Sequence, residues 1–393
     1  MENTMKPPLA FKSLFQNYFT DRAVGHTAIS LVKSINGPGL EGKLWVPAHP
    51  KNYSSPFLVP ALPLLAGNLL FKTGPGTRFA LAWTRKAFLG ALREGDLAYL
   101  WPNVPFQVFQ AAREKRALVA AEGINCHQAL AKEILEEEFS RLGLRPSSTI
   151  TDEDIEDEKK KLALTDFLFA PSPMVAASFA REGFPKERII QGSYGWDPSA
   201  LAGEKKALEP EGGLDVLFVG RISVRKGAHY LFEAWAEAGI EGRLILAGRF
   251  YDGLEKKYAG LLSRPDVVTL GFTSDVGSVY RSGQVLAFPS LEEGSPLVTY
   301  EAMSQGLALL VSPMAAGGVV RDGKEGLVLP PGDREAWTAA LRDLAAHPEK
   351  REALGRAGRE RALEFTWDKV GARRREALLE AVAALGPRGK ARP

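Results

Sequence analysis

The sequence predicts an α/β protein in which parallel sheets are covered by helices on both faces. Short apolar runs alternate with helical patterns, and this alternation is clearest in the C-terminal half. The run from Val285 to Phe288 has no polar face, which is typical of a strand that is buried on both sides. With 393 residues, of which 45% are hydrophobic, the chain is long enough for two domains with separate cores.

The bulk composition limits the classes of function. A net charge of +3 is too small to indicate nucleic-acid binding, so we expect no nucleic-acid partner. The single cysteine, Cys126, excludes an internal disulfide and a cysteine metal cluster, and it fits a cytoplasmic setting. No run reaches the roughly 18 apolar residues that span a bilayer, and the first residues lack the apolar core of a signal peptide. We therefore expect a soluble or membrane-peripheral protein.

The first 90 residues carry weaker signals. Residues 22–35 have helical spacing, and residues 44–46 form a short predicted strand. Residues 56–71 are strongly apolar, but three prolines and a glycine argue against one long helix. Basic residues and a tryptophan follow this stretch: Lys72, Arg78, Trp83, Arg85 and Lys86. Two interpretations stay open, namely a domain core with a solvated helix face and a patch that contacts a membrane surface.

Two predicted strands, at 95–100 and 117–122, flank a predicted helix at 105–114, which is the alternation of a doubly wound domain. Glu122 and His127 follow the carboxyl end of the second strand, where open α/β sheets bind ligands. Either side chain is a candidate ligand contact. For His127, a purely structural role is an equally open interpretation.

Residues 151–161 contain an acidic triplet that could be mistaken for a metal site. Thr151 and Asp154 instead have the spacing of a capping box, and acids followed by lysines complement a helix dipole. We interpret this segment as the start of a helix and predict no metal site.

The remaining pattern divides the chain into two halves. A strand at 166–172, a helix at 174–183 and a strand at 188–197 complete the first half, and the charged segment 198–212 is a predicted linker. The predicted strands of the second half are 214–220, 243–248, 267–272, 285–290, 308–312 and 326–330, and its last predicted helices are 333–346, 348–364 and 366–385. The predicted organisation is an N-terminal domain (1–197), a linker (198–212), a C-terminal domain (213–365), a final helix (366–385) and a disordered tail (386–393).

The chain is organised around residues 285–306, which predict a strand, a tight loop and the first turns of a helix. Pro296 lies where the helix begins, and Gly294 and Ser295 form its predicted cap. Free backbone N–H groups at this helix start would attract a phosphate, and the carboxylates of Glu293 and Glu301 would accept hydrogen bonds from hydroxyls. These features suit a sugar nucleotide.

A second loop supplies positive charge. The strand at 214–220 ends in Gly220 and is followed by Arg221 and Lys226, just before a helical pattern. A guanidinium and an ammonium at the carboxyl edge of a sheet, beside a helix N-terminus, suit a diphosphate.

The pattern P-S-x-x-E-G-x-P-L-x-x-x-E-A-M-x-x-G at 289–306 resembles the signature of the retaining, two-domain glycosyltransferases called family 4. The segment R-x4-K-G at 221–227 is similar to the diphosphate-binding segment of the same family. This resemblance implies the GT-B fold, in which two Rossmann-like domains with parallel sheets face a central cleft. It also implies that the helix at 366–385 crosses back to the first domain.

The resemblance further implies a role for each candidate residue. Arg221 and Lys226, with the N–H groups of Leu297 and Val298, would stabilise the departing phosphate. Glu293 would bind hydroxyls of the donor sugar, and Glu301 would bind the ribose. The other implied donor contacts are Gly220, Gly294, Ser295, Pro296 and, through backbone groups near the base, Phe272 and Thr273, while Glu122 or His127 would contact the acceptor or sugar. No metal or other cofactor is expected.

Several points stay open on the sequence alone. The donor nucleotide could be UDP or GDP, and the hydroxyl acceptor is unidentified, with glycan or glycolipid synthesis as the expected setting. The chain departs from the family in two places. The first loop, which is usually rich in glycine, has only Gly25, and residues 312–322 lack the Pro and Glu of the usual G-G-x-P-E pattern. A sugar-nucleotide epimerase and a non-catalytic sugar-nucleotide sensor or complex subunit are the alternatives.

Overall fold

The computed structural model describes residues 7–21 and 23–385, which fold into two α/β domains, each built on a parallel sheet. This confirms the predicted fold class. The predicted tail at 386–393 lies outside the described residues, and so does Arg22, the first residue of the predicted helix at 22–35.

The N-terminal domain contains seven strands within the described residues, and their order in the sheet is β3-β2-β1-β4-β5-β6-β7. The strands are β1 (Leu9–Leu14), β2 (Leu40–Val46), β3 (Leu58–Pro60), β4 (Leu97–Leu100), β5 (Leu118–Glu122), β6 (Phe167–Ala170) and β7 (Ile189–Gln191). The helices are α1 (Ala23–Ile35), α2 (Leu64–Leu70), α3 (Gly74–Ala91), α4 (Phe106–Glu114), α5 (Gln128–Leu142), α6 (Asp152–Ala163) and α7 (Pro173–Arg181).

The C-terminal domain has a sheet of six described strands in the order β10-β9-β8-β11-β12-β13. The strands are β8 (Leu214–Val219), β9 (Gly242–Ala247), β10 (Val267–Gly271), β11 (Val285–Phe288), β12 (Ala308–Val311) and β13 (Gly326–Val328). The helices are α8 (Ala228–Ala238), α9 (Leu254–Lys257), α10 (Ala259–Leu262), α11 (Val276–Tyr280), α12 (Leu297–Gln305), α13 (Pro313–Ala316), α14 (Arg334–Ala346), α15 (Pro348–Ala362) and α16 (Trp367–Ala384).

The order of the second sheet reverses between β8 and β11, which are neighbours although they are not consecutive in the chain. Every residue of both strands is buried, as their apolar sequences predict for strands covered on both faces. A reversal point of this kind leaves a crevice at the carboxyl ends of the two strands, where open α/β sheets bind ligands. The loops that follow β8 and β11 are the two segments that the sequence singled out.

Helix α16 crosses from the second domain to the first, as the family resemblance implied. It packs against α1, where Gly371 lies so close to Ser34 that an added Cβ would be 2.3 Å from the Ser34 backbone. Arg375 donates a 2.9 Å hydrogen bond to the Asn36 carbonyl. Within the described part of the chain, no helix combines the length and the apolar character needed to cross a bilayer.

The structure corrects the sequence prediction in two places and confirms it in a third. Strand β1 was not predicted at all. Strand β7 ends at Gln191, whereas the prediction extended it to Asp197. The apolar stretch at 56–71 is split into β3 and α2, as its prolines predicted.

Candidate active site

A cavity of about 550 Å³ lies between the two domains. One wall comes from the segment 123–126 after β5, from one side of α5 and from the loop 146–150. The other wall belongs to the C-terminal domain and includes Arg221, Ser223, Arg225, Asp252 and Glu292. Since β5 and β8 both end at this cavity, it is the cleft that the fold places at the carboxyl ends of the strands.

Lys226 and Glu293 meet at the reversal point between β8 and β11. The Lys226 ammonium contacts Oε1 of Glu293, and the Ser290 hydroxyl donates a 3.1 Å hydrogen bond to the same oxygen. Burial, assisted by the nearby Arg225 charge, lowers the pKa of Lys226 well below its ordinary value. An anion that entered this site would favour the charged lysine, so the site is suited to a phosphate.

Arg221 is held by an aromatic ring and not by a carboxylate. Its guanidinium carbon lies 3.8 Å from the centre of the Tyr251 ring, which is a cation–π contact. This stacking fixes the planar group beside the cleft and leaves its N–H edges available for an anion.

The sequence prediction missed Glu292 and Arg225, which connect the two walls of the cleft. Arg225 donates a 2.8 Å hydrogen bond to Oε2 of Glu292, and the Cys126 backbone N–H of the N-terminal domain donates a 3.2 Å bond to Oε1. Sequence pattern could not separate Glu292 from the adjacent Glu293, because the loop conformation alone decides which of the two faces the other domain.

Gly294 allows this loop to approach the N-terminal domain. A Cβ at this position would lie 1.6 Å from the Ile124 carbonyl oxygen, so a larger residue would force the walls apart. Gly294 therefore has a packing role in addition to the donor contact that the family resemblance implied.

Helix α12 begins beside the same loop. Its N-cap is Pro296, one residue later than the predicted cap at Gly294 and Ser295. The Ser295 hydroxyl is instead 2.5 Å from the Tyr300 hydroxyl. Leu297 and Val298 form the first turn, where backbone N–H groups have no acceptor within the helix. They can therefore bind an anion.

Glu301 lies on α12 and is held by a tyrosine that the sequence did not reveal. The Tyr280 hydroxyl donates a 2.7 Å hydrogen bond to Oε2 of Glu301. Burial raises the pKa of Glu301, and the Tyr280 hydrogen bond opposes that rise. One carboxylate oxygen is thus fixed, and the second can accept a bond from a ligand hydroxyl.

Phe272 and Thr273 follow β10, at the far edge of the same sheet. Phe272 is 60% exposed, and the Arg249 guanidinium carbon lies 5.3 Å from its ring centre. The Thr273 hydroxyl accepts a 3.1 Å bond from the Asp275 N–H. Gly220 adopts a φ of +128°, a value that favours glycine, directly after β8.

The two candidate acceptor contacts are occupied by structural partners. Glu122 is buried and accepts hydrogen bonds from Arg374 at 2.9 Å and from the Tyr99 hydroxyl. His127 is buried at the N-terminus of α5, where its Nδ1 accepts a 3.1 Å bond from the Ala129 N–H. This geometry favours a structural role for both, and an acceptor contact stays a prediction.

A further group of contacts joins the domains at the side of the cleft. Oε1 of Glu138 on α5 is 2.7 Å from His229 Nε2, and Oε2 accepts a 2.8 Å bond from the Tyr230 hydroxyl on α8. Burial raises the pKa of Glu138, but hydrogen bonds from His229, Arg141 and Tyr230 outweigh that effect and lower it to about 2. The carboxylate is therefore charged at neutral pH.

Two parallel-sheet domains around a cleft, with a crossing C-terminal helix, define the GT-B fold. Arg221 lines this cleft, and Lys226, Glu293 and the start of α12 lie at the reversal point between β8 and β11. Residues 213–347 match the model of the family described as Glycosyl transferases group 1.

Curated relatives match less than half of the chain. The sulfoquinovosyl transferase SQD2 of Arabidopsis thaliana is 36% identical over 40% of this chain and 32% of its own. A D-inositol 3-phosphate glycosyltransferase of Saccharomonospora viridis is 31% identical over 48% of each chain. The matched part thus spans between a third and a half of these relatives.

Solved structures show the same fold over nearly the whole chain. A sucrose-phosphate synthase from Thermosynechococcus elongatus superimposes with a TM-score of 0.66 at 18% identity, covering 96% of this chain and 100% of that one. HepE of Anabaena, solved in complex with UDP-glucose, gives a TM-score of 0.66 at 17% identity, covering 95% and 100%.

Proposed function

We propose that this protein is a retaining glycosyltransferase of family 4 that moves a sugar from a UDP- or GDP-linked donor to a hydroxyl acceptor. The observation that carries the proposal is the reversal point between β8 and β11. There Lys226, on the loop after β8, contacts Glu293 on the loop after β11, and α12 begins at the end of the latter loop. Arg221, on the same loop as Lys226, lines the cavity between the domains. The names of the matched relatives, and the UDP-glucose bound to HepE, support a nucleotide-sugar donor.

The proposed reaction breaks the bond between the anomeric carbon and the β-phosphate oxygen. Negative charge then grows on the phosphate, and Arg221, Lys226 and the N–H groups of Leu297 and Val298 stabilise it. The acceptor oxygen attacks the same face of the sugar, and its proton passes to the departing phosphate. Glu293 binds donor-sugar hydroxyls and Glu301 binds the ribose, with neither acting as a nucleophile. The acceptor belongs to glycan or glycolipid synthesis in this proposal.

Product analysis tests the proposal directly. The protein is incubated with labelled UDP- and GDP-sugars and a panel of hydroxyl acceptors. Free UDP or GDP together with a glycosylated acceptor supports the transferase. An isomeric sugar nucleotide would indicate an epimerase, and binding without turnover would indicate a sensor, so either result would overturn the proposal.

Nucleotide diphosphate alone is expected to stabilise the fold, because the proposed diphosphate contacts belong to the C-terminal domain. At a concentration one hundred times its dissociation constant, the nucleotide should add about 2.7 kcal/mol to the free energy of unfolding. Thermal denaturation with UDP, GDP and ADP measures this effect and identifies the base. An unchanged midpoint with all three at saturating concentration would contradict the nucleotide assignment.

Activity is expected to survive EDTA, because two side-chain cations and a helix N-terminus meet the diphosphate charge. Among the described residues, no three His, Cys, Asp or Glu side chains are grouped to hold a metal ion. The acidic triplet at 152–154 begins α6, with the Thr151–Asp154 capping box in place, as the sequence predicted. Turnover lost on chelation and restored by Mn²⁺ would be evidence against the metal-independent scheme.

A further inference from the structure

Helices α2 and α3 present an exposed apolar surface at the edge of the N-terminal domain. Leu65, Leu69, Phe79 and Trp83 are 69%, 67%, 54% and 44% exposed. They are half of the eight large hydrophobic side chains that are exposed among the described residues. We call this group of four side chains the α2–α3 face.

The exposure follows from how α3 packs. Gly76, Ala80, Thr84 and Phe88, each four positions apart, form the buried stripe of the helix. Phe79 and Trp83 lie one position before this stripe and stack on each other, with ring centres 6.2 Å apart. The Trp83 indole N–H donates a 3.1 Å bond to the Ala61 carbonyl, which holds the ring in this position. The face is therefore an ordered feature of the fold.

The chain segment that carries this face has charged residues of one sign. Residues 42–93 contain seven lysines and arginines and no acidic residue, so this segment carries +7 in a chain whose net charge is +3, and the rest carries −4. Lys72, Arg78 and Lys86 are exposed beside the apolar side chains, and the Lys86 ammonium is 5.7 Å from the centre of the Trp83 ring. Apolar groups and cations are thus interleaved on one surface.

We propose that the α2–α3 face docks on an anionic lipid bilayer. Leucine, phenylalanine and tryptophan side chains enter the boundary between headgroups and acyl chains, while lysine and arginine contact lipid phosphates. The exposed cations of this segment, which contains no acidic residue, complement anionic lipid. This charge complementarity favours a bilayer over a second copy of the chain, because two copies would bring two positive surfaces together.

The docked face lies beside the cleft. The Tyr18 hydroxyl, in the loop after β1, donates a 2.8 Å bond to Asn68 of α2, and Arg85 of α3 donates a 3.1 Å bond to Gln16 in the same loop. This loop follows the carboxyl end of β1, which is the edge of the sheet that faces the cleft. A bilayer bound here adjoins the mouth of the cleft on the side of the N-terminal domain.

Vesicle co-sedimentation of the full chain tests the proposal. Vesicles of phosphatidylcholine with added phosphatidylglycerol should bind the protein, whereas pure phosphatidylcholine vesicles should bind it far less. Binding should weaken as added salt shortens the Debye length. The double substitution Lys72→Glu and Lys86→Glu should lower the partition coefficient by at least about 25-fold, since each lost cation near an anionic surface costs about fivefold and each new carboxylate is repelled.

Matched variants separate docking from general effects on charge and hydrophobicity. Phe79→Ser with Trp83→Ser should also lower partitioning, whereas Lys324→Glu and Leu363→Ser, which alter exposed residues of the C-terminal domain, should leave it unchanged. Equal binding to both vesicle types, equal loss with the control variants, or a lipid-free dimer that Phe79→Ser disrupts would each overturn the proposal. None of these readouts depends on transferase activity.

Discussion

Replacing Lys226 by alanine is expected to lower kcat by about 10²–10³-fold, the magnitude known for removing a preorganised electrostatic donor. The ammonium is buried against Glu293 and would interact most strongly when the β-phosphate departs. Steady-state kinetics and donor binding are measured for the same preparation. If the variant turns over at nearly the normal rate while binding donor as well as the unchanged protein, this loop does not stabilise the leaving group.

Glu301→Ala is the matched comparison, because the charge of its proposed partner, the ribose, is nearly the same in the ground and transition states. Removing the Glu301 carboxylate should therefore raise KM with a smaller effect on kcat. Tyr280→Phe should reproduce part of this increase, since the Tyr280 hydroxyl holds the carboxylate. Each variant is first checked for folding, because Lys226→Ala leaves the buried Glu293 carboxylate without its cation.

The parts of the fold that the sequence predicted well are those that local patterns determine. Strands β11 and β12 are continuous apolar runs, and the Thr151–Asp154 capping box is encoded within four residues. Strand β1 was missed because Lys12 interrupts its apolar character. In the structure the Lys12 ammonium donates hydrogen bonds to the Ala91 carbonyl at 2.7 Å and to Asp96 at 2.5 Å. These partners are about 80 residues away in the chain, so no local pattern could reveal them.

The same distinction applies to the site. The Pro, Gly and Glu spacing of one segment located Glu293 and Glu301. The residues that bond the site carboxylates, or that join the two walls of the cleft, come from elsewhere in the chain. Tyr280 precedes its carboxylate by 21 residues, and Glu292 bonds a backbone N–H that is 166 residues away. Beyond β7, the predicted strand residue Trp196 instead contacts the chain just before α16, where its N–H donates a 3.0 Å bond to the Phe365 carbonyl. Such contacts depend on the relative position of the domains.

Removing the Arg374 side chain is expected to destabilise the fold by about 3–5 kcal/mol, which is typical when one partner of a buried ion pair is lost. Arg374 on the crossing helix and Glu122 on β5 are 2.9 Å apart, and their side chains are 2% and 0% exposed. In Arg374→Ala, Glu122 would keep its buried charge and the Tyr99 hydrogen bond but would lose the cation that balances that charge. Equilibrium unfolding in urea measures the loss.

Two variants show whether the loss comes from the unpaired charge. Arg373→Ala changes the exposed neighbour on the same helix and should alter stability by only about 0.5 kcal/mol. Combining Glu122→Gln with Arg374→Met removes both charges and should recover much of the stability, since a buried pair replaced by uncharged groups of similar size is often nearly neutral. If the double variant were no more stable than Arg374→Ala, the loss of stability would come from lost side-chain packing and not from the unpaired charge of Glu122.

The pH dependence of Arg374→Ala supplies an independent test. Burial already raises the pKa of Glu122, and Arg374 opposes this rise, so its removal should raise the pKa further above the unfolded value. A carboxyl whose pKa is raised in the folded state favours folding at low pH and loses that contribution as the pH rises through the folded pKa. The stability difference between Arg374→Ala and the unchanged protein should therefore be smaller near about pH 5 than near about pH 8. A stability difference that stayed constant across this range would mean that the ionised Glu122 carboxylate is not the cause of the lost stability.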